Sequence, residues 1–424
     1  MTVVSTLGSA LSHEQCARLS QIEQEFALST DQLHTIVKHI RADLSLGLKR
    51  DNDSTLSMTP SFVHQRTLPL GTSLGMGIEA SGRIRITRVN FADDSTIAHT
   101  STQVFIAPRK SMGEFYGYTA FCLREFIQTQ GLEQEILPLG ITIGLPVRGE
   151  EDSLGLGGKN MMRRFYDTFL KGHLPVRLTS VTNGAVSRLV AARHGYKAVG
   201  VAASFNRGVS AAYFERLGCV ERLGQASENE VVAVDTEIGR FYSTTLPLTQ
   251  WDRRVDRESK YPGTRVFEKL VADQYLGEIT RNLITDLMDE RLLFAKAACV
   301  ETISTEYAFY TAYMAPIVES SDHVGGIMEN EFGIATTEAD RLVVQALCRI
   351  VARRAALLAG AMLAALVKGK RAVALSGALL DVNEKLRMEA VDTMKGLLED
   401  MDVEVLFQHR GAEALGAAIN AASF

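Results

Sequence analysis

The sequence is poor in cysteine, and its few cysteines are too scattered to build a site. There are five in 424 residues, no pair has the CxxC spacing, and their number is odd. This pattern excludes a disulfide framework and a cysteine-based zinc site, and it predicts reduced thiols in a cytosolic protein. The cysteines are Cys16, Cys122, Cys219, Cys299 and Cys348.

Other absences narrow the class of protein further. The net charge is -5, so we expect no nucleic acid as the main partner. The longest apolar run, residues 355–367, is shorter than the roughly 20 residues that a membrane-spanning helix needs. The N-terminal string MTVVSTLGSALSHEQ lacks the basic start and the apolar stretch of a secretory signal, and no histidines have HExxH or HxH spacing. Together these absences predict a cytoplasmic protein without a membrane span or a metal site.

What remains is the pattern of an α/β protein. Ser29 and Gln32 form a capping box that begins an amphipathic helix. Strand-like runs alternate with helical segments farther along the chain, among them RIRI, ILPLGITIGLPV, PVRLTSVT and YKAVGVAASF. Strands separated by helices predict βαβ units and a mostly parallel sheet. The last third is largely helical, and no linker rich in proline or glycine divides the chain, so two domains would share several chain crossings.

Four strings together carry a resemblance to a known family: LPLGITIGLPV, TEIGRF, YPGTRVFEKLVADQYLGEITRNLI and NEFGIATTEADRL. They resemble fungal-type hexokinases, in the same order along most of the chain. The resemblance implies the actin-like ATPase fold of sugar kinases, with two α/β domains around a central cleft for sugar and ATP. Because that family has discontinuous domains, we expect a small domain of residues 74–184 plus 411–424 and a large domain of residues 1–73 plus 185–410.

The phosphate loops that the resemblance implies are poorly preserved. The first falls on residues 79–84, where only Gly82 remains and Arg83 replaces a small hydroxyl residue. A phosphate loop needs glycines so that backbone N–H groups can approach the phosphate oxygens. The second falls on Arg207 and Gly208, and its threonine is lost. We interpret Arg83 as a solvated strand residue, with a phosphate contact as the alternative.

The C-terminal nucleotide segment departs from the family pattern as well. The string HRGAEALGAA carries Glu413 where the resemblance implies a turn rich in glycine and serine, and a carboxylate that faces phosphates is repulsive. On the adenosine side, LSGALLD stands in place of Asp-Gly-Ser. These changes predict that ATP binding is weak or absent and that no cofactor is required, with ATP and Mg²⁺ as the alternative.

The change with the largest consequence lies in the string SVTNGAVSRL. Asn183 matches a family asparagine, but Gly184 stands where the resemblance implies the aspartate that takes the proton from the sugar hydroxyl. A positioned base typically contributes about 10²–10⁴-fold to the rate, and glycine has no group for this role. We therefore assign no catalytic residue from the sequence.

The sugar side of the cleft is better preserved. By resemblance, Glu237 and Glu268 stand where family glutamates accept hydrogen bonds from sugar hydroxyls. Two such carboxylates suit a polyol, or an acid/base pair if their environments separate their pKa values. The alternative is that local backbone N–H groups satisfy both. Arg148 takes the place of a sugar-binding serine, and Ser210 takes that of an asparagine.

Three functions remain compatible with the sequence. The first is a hexokinase-like protein that does not phosphorylate hexoses and acts as a regulator or ligand-binding protein, with a sugar-like molecule or a protein as its partner. The second is an enzyme of specialised metabolism that uses the altered cleft on another small molecule. Glu237 and Glu268 would then be its acid/base candidates, and one arginine would hold an anionic group: Arg83, Arg148 or Arg207. The third is a residual sugar phosphotransferase with a relocated base.

Overall fold

A computed structural model describes most of the chain. The described residues are 10–49, 53–61, 69–79, 82–106, 112–144, 157–221, 230–295, 301–367, 369–398, 402–408 and 411–423. The strands in these ranges are β1 Thr59–Ser61, β2 Gly71–Ile78, β3 Arg83–Phe91, β4 Ile97–Ile106, β5 Leu137–Ile143, β6 Val176–Asn183, β7 Val199–Phe205, β8 Val209–Arg216, β9 Val231–Asp235, β10 Ala372–Gly377 and β11 Glu404–Phe407. The helices are α1 His13–Phe26, α2 Thr30–Leu48, α3 Met112–Thr129, α4 Gly157–Lys171, α5 Gly184–Gly195, α6 Gln250–Glu258, α7 Val266–Val271, α8 Asp273–Asp289, α9 Glu301–Ser304, α10 Thr311–Glu319, α11 Asp322–Phe332, α12 Glu338–Leu366, α13 Ala378–Val382, α14 Glu384–Leu397 and α15 Ala412–Ala422.

The described strands form two mixed sheets. One has the order β1-β9-β8-β7-β10-β11, and the other has the order β4-β3-β2-β5-β6. The prediction of a mostly parallel sheet is wrong, because each sheet joins antiparallel hairpin strands to a parallel set. The strands on either side of α5, β6 and β7, belong to different sheets and do not form one βαβ unit.

Two helices lie between the sheets. Helix α5 packs on the six-stranded sheet, α15 packs on the five-stranded sheet, and the two helices pack on each other. The approach is close enough to require glycine: a Cβ atom at Gly416 would lie 1.8 Å from the carbonyl oxygen of Ser187. Both sheets therefore meet through one helix pair, in keeping with the two α/β domains that the resemblance implies.

Local sequence signals explain where several helices begin. Ser29 begins α2 with the predicted capping box, because its hydroxyl accepts from the backbone N–H of Gln32 and the Gln32 side chain accepts from the Ser29 N–H. Thr337 does the same for α12, the 29-residue helix at the centre of the large core. No helix in the described part of the chain combines the length and apolar character that a membrane crossing needs. The domain boundaries drawn from the sequence stay a prediction.

Candidate functional site

The candidate site lies between the two sheets, where β6 and β9 end. Asn183 ends β6, and its Oδ1 accepts a hydrogen bond of 2.8 Å from the backbone N–H of Val186. Its Nδ2 donates a 2.7 Å hydrogen bond to Oδ2 of Asp235, the last residue of β9. The Asn183 side chain therefore caps α5 and also links the two sheets. A contact between Asn183 and a ligand stays a prediction.

Gly184, the first residue of α5, faces a carboxylate from another helix. The position that a Cβ atom would take at Gly184 lies 3.2 Å from Oε1 of Glu413 on α15. That oxygen accepts hydrogen bonds from Nε of Arg188 at 3.0 Å and from its Nη2 at 2.7 Å. Glu413 is therefore held in an ion pair beside the position where the resemblance implies the catalytic aspartate.

Asp235 is a buried carboxyl group with an unusual titration. Burial, and to a smaller extent the negative charge of Glu237, raise its pKa to about 8. The Glu237 backbone N–H, which donates a 3.2 Å hydrogen bond to Asp235, and the charge of Arg265 act in the opposite direction. Near neutral pH this group is therefore largely protonated, and it can donate one hydrogen bond as well as accept others.

The two predicted sugar-binding glutamates lie on either side of one guanidinium group. Arg265 donates from Nη2 to Oε2 of Glu237 and from Nη1 to Oε2 of Glu268, at 3.3 Å each. Glu268 also accepts a 3.0 Å hydrogen bond from the Val209 backbone N–H. Burial raises the pKa of Glu268, while Arg265 and this N–H lower it. The fold therefore brings both carboxylates together and gives each of them a protein partner.

The backbone is strained on both sides of this cluster. Glu237 has φ 53° and Arg265 has φ 51°, and both lie in the left-handed region that non-glycine residues rarely adopt. Such conformations persist where the surrounding structure holds them, often at ligand sites. The two residues with this backbone conformation form an ion pair with each other.

Two glycines make room for the Glu268 carboxylate. A Cβ atom at Gly208 would lie 2.7 Å from Oε2 of Glu268, and one at Gly239 would lie 2.8 Å from the same oxygen. Gly208 forms the turn between β7 and β8, as the sequence predicted, and Arg207 beside it is exposed. In this structure Gly208 leaves space for the Glu268 carboxylate. The turn alone gives no evidence for a phosphate contact.

The other predicted binding residues are more peripheral. Gly82 has φ 82° in the turn between β2 and β3, and Arg83 is exposed at the start of β3. Ser210 is half-buried on β8. Arg148 lies outside the described residues. Their roles toward a ligand stay predictions.

ATP with Mg²⁺ is the phosphate donor that the hexokinase resemblance implies, and the residues around Gly184 do not fit it. The Glu413 carboxylate would repel phosphate groups, and Arg188 is already bound to that carboxylate and to the Ser376 hydroxyl. Among the residues that the structure describes, no group of three or more His, Cys, Asp or Glu could hold a metal ion. Because of the Glu413 carboxylate, we assign none of the residues around Gly184 to the phosphates of ATP.

Sequence reasoning missed three residues of the site. Asp235 directly follows an apolar strand and precedes Glu237 by two positions, which was an available signal for a carboxyl group at a strand end. Arg265 lies in the recognised string YPGTRVFEK, but its position between two glutamates depends on tertiary structure. Arg188 gave no sequence signal, because its partner Glu413 is distant in the chain.

Comparison with known proteins places this chain in a family. Two hexokinase family profiles match the chain, one over residues 18–194 and the other over residues 200–423. Hexokinase-1 of Saccharomyces cerevisiae is 26% identical over 381 residues, which cover 82% of this chain and 78% of the yeast protein. Hexokinase-like 1 protein of Arabidopsis thaliana is 27% identical over an alignment of 467 positions, which covers 99% of this chain and 94% of the plant protein.

The solved structures agree with the sequence relatives. A hexokinase from Schistosoma mansoni complexed with glucose superposes with a TM-score of 0.88, and the match covers 97% of this chain and 99% of that one. The two proteins are 23% identical, so this likeness supports the fold alone. The family profiles together span both sheets and the helices between them. The chain therefore belongs to the hexokinase family.

Proposed function

We propose that this protein binds a hexose or a hexose-like polyol in the cleft and transfers no phosphate to it. One observation carries the proposal: Gly184 offers no base, and the carboxylate nearest to it, that of Glu413, already accepts two N–H bonds from Arg188. Proton removal from the attacking hydroxyl is worth about 10²–10⁴-fold in sugar kinase chemistry. A chain without a positioned base retains binding and loses most of the rate.

The polyol site consists of Glu237 and Glu268. Carboxylate oxygens accept O–H bonds strongly, and Arg265 supplies N–H donors to the lone pairs of hydroxyl oxygens. Arg265 is bound to both glutamates at 3.3 Å, which is long for charge-assisted bonds, so a ligand hydroxyl can compete for either oxygen. The strongest support for a polyol is therefore the pairing of two acceptors with one cation between them.

Binding would act on the protein through its two domains. The Asn183–Asp235 hydrogen bond joins the two sheets next to these glutamates. A ligand shifts a conformational equilibrium only when it binds one state more tightly, as it would by contacting residues of both domains. Regulation through a protein partner, a cytoplasmic location and the domain division at residues 74–184 plus 411–424 belong to the same proposal.

Calorimetry tests the binding half of the proposal. Purified protein is titrated with glucose, mannose and glucosamine, and the variants Glu237→Gln and Glu268→Gln are titrated in parallel. We expect binding in the parent and about tenfold or larger losses in both variants. Exposed Glu133 provides the matched control, since Glu133→Gln removes the same charge away from the cleft. Equal binding by all variants, or no binding by the parent, would reject a polyol site at these glutamates.

A second candidate function rests on Asp235. Burial raises the pKa of Asp235 to about 8, so a carboxyl group that can donate a proton lies beside Glu237. This favours acid–base chemistry on a small molecule in specialised metabolism. The test is turnover of a metabolite panel in which Asp235→Asn abolishes product formation and leaves polyol binding in place. Turnover unaffected by this change would remove the candidate.

A further inference from the structure

The Arg188 guanidinium group has the hydrogen-bonding geometry of an arginine that binds an anion. Its Nε and Nη2 both donate to one oxygen of Glu413, and its Nη1 donates to the Ser376 hydroxyl at 2.7 Å. The Arg188 side chain is only 11% exposed and that of Glu413 only 20%, so the pair is shielded from solvent. The planar fork of a guanidinium presents the same donors to a phosphate oxygen as to a carboxylate oxygen.

A second guanidinium group approaches the same turn. Arg85 on β3 packs against Gly411, the residue that precedes α15, with its Cδ 3.3 Å from the position that a Gly411 Cβ atom would take. Its Nε is buried and has no hydrogen-bond partner within the described part of the structure. Its ion pair with Glu79 is long, at 3.4 Å. The first turn of α15 is therefore flanked by two guanidinium groups, from β3 and from α5, which pair with Glu79 and Glu413 respectively.

The position of the pair distinguishes it from an ordinary surface ion pair. It lies beside Gly184, between the sheets, and is far less exposed than the Arg163–Asp167 pair, whose side chains are 83% and 52% exposed. The Ser376 hydroxyl oxygen, at the end of β10, accepts a hydrogen bond from the same guanidinium group, and its own O–H can donate to an anion. The Glu413 carboxylate thus lies in a partly buried site formed by Arg188 and the Ser376 hydroxyl, and these groups could also bind an oxyanion.

We propose that Arg188 and Ser376 form a binding site for a tetrahedral oxyanion of the size of inorganic phosphate, and that Glu413 occupies this site in the protein as it stands. Arg85 contributes a second positive charge at the edge of the site. Removal of the Glu413 carboxylate opens the site, because Arg188 then needs another anion to offset the cost of its burial. The proposal does not depend on whether Glu237 and Glu268 bind a polyol.

The test measures binding of inorganic phosphate by calorimetry, in a buffer without other oxyanions and at constant ionic strength. We expect Glu413→Ala to bind phosphate at least about tenfold more tightly than the parent does. Glu413→Gln removes the charge but fills the space, so its affinity for phosphate should lie between that of the parent and that of Glu413→Ala. The double variant Arg188→Gln/Glu413→Ala should return to the affinity of the parent or below.

Two outcomes would overturn the proposal. One is equal phosphate affinity in the parent, Glu413→Gln and Glu413→Ala. The other is tight binding by the double variant, which would place the anion elsewhere. Circular dichroism establishes that each variant is folded, and if Glu413→Ala does not fold, the comparison of Glu413→Gln with the parent decides the question by the same criterion.

Discussion

The carboxylate of Glu413 lies 3.2 Å from the position that a Cβ atom would take at Gly184, although the two residues belong to different helices. The absence of a side chain at Gly184 and the presence of the Glu413 carboxylate are therefore spatially coupled, because the two lie in contact distance. An aspartate at position 184 would bring two negative charges together at a partly buried site, and like charges at short range are unfavourable. This relationship makes the missing base testable by substitution.

Gly184→Asp should destabilise the protein unless Glu413 is neutralised. We expect a coupling free energy of about 1–2 kcal/mol between Gly184→Asp and Glu413→Gln in a double-mutant cycle measured by urea unfolding. Gly184→Asn is the matched control, because it adds the same volume without charge, and its coupling should be small. Equal coupling for Asp and Asn would show that space, and not charge, separates the two positions.

The stability of the protein should decrease as pH rises toward 8, because of Asp235. Its folded pKa, about 8, is above the ordinary value of 3.8, so the neutral form is favoured in the folded state. The contribution is fully present below the unfolded pKa and is lost as pH rises through the folded value. Urea midpoints measured between about pH 4 and pH 9 should fall less steeply with pH in Asp235→Asn than in the parent. The same slope in both proteins would contradict this assignment.

The glycines around Glu268 should be needed for ligand binding. Gly208→Ala or Gly239→Ala would place a methyl group within 3 Å of Oε2 of Glu268 and displace the carboxylate. We expect about tenfold weaker polyol binding and a stability loss of about 1–3 kcal/mol. Gly117 on α3 is the control, because a Cβ atom there meets nothing within 4 Å, so Gly117→Ala should bind as the parent does and gain up to about 1 kcal/mol.

The ion pair between Arg354 and Asp252 should be the most sensitive charge pair in the large core. The two side chains are 1% and 2% exposed, and two N–H donors of Arg354 bond to the two oxygens of Asp252. Arg354→Met leaves a buried carboxylate and should destabilise the protein by about 3–5 kcal/mol.

The neighbouring residue Arg353 serves as the control for that prediction. Its side chain is 46% exposed and pairs with Glu389. Arg353→Met should change the unfolding free energy by less than about 1 kcal/mol, since exposed pairs contribute little. Comparable losses from both substitutions in chemical denaturation would contradict the distinction between buried and exposed pairs.

The sequence predicted the parts of the structure that depend on local patterns. The Ser29 capping box and the strings around Glu237 and Glu268 gave the correct helix start, family and fold. The prediction of a mostly parallel sheet was wrong. The alternation of strands and helices along the sequence does not reveal that β6 and β7 belong to different sheets.

The electrostatics of the site depend on tertiary contacts and were not predictable in the same way. The family resemblance implied that Glu413 repels phosphates, but its partner Arg188 lies more than 200 residues away. Arg265 lies three residues from Glu268, yet its second contact, with Glu237, forms only after β9 and α7 have come together. Pairings of this kind leave no periodic signal in the sequence.

The most direct test of the central claim is a sensitive phosphotransfer assay with ATP, Mg²⁺ and a panel of hexoses and hexosamines. The double variant Glu237→Gln/Glu268→Gln is the blank, and calorimetry on the same preparations reports polyol binding. The account predicts that the parent binds a polyol and forms no more sugar phosphate than the double variant does. Sugar phosphate formed by the parent and not by the double variant would contradict it, and would mean that another group supplies the base that Gly184 lacks.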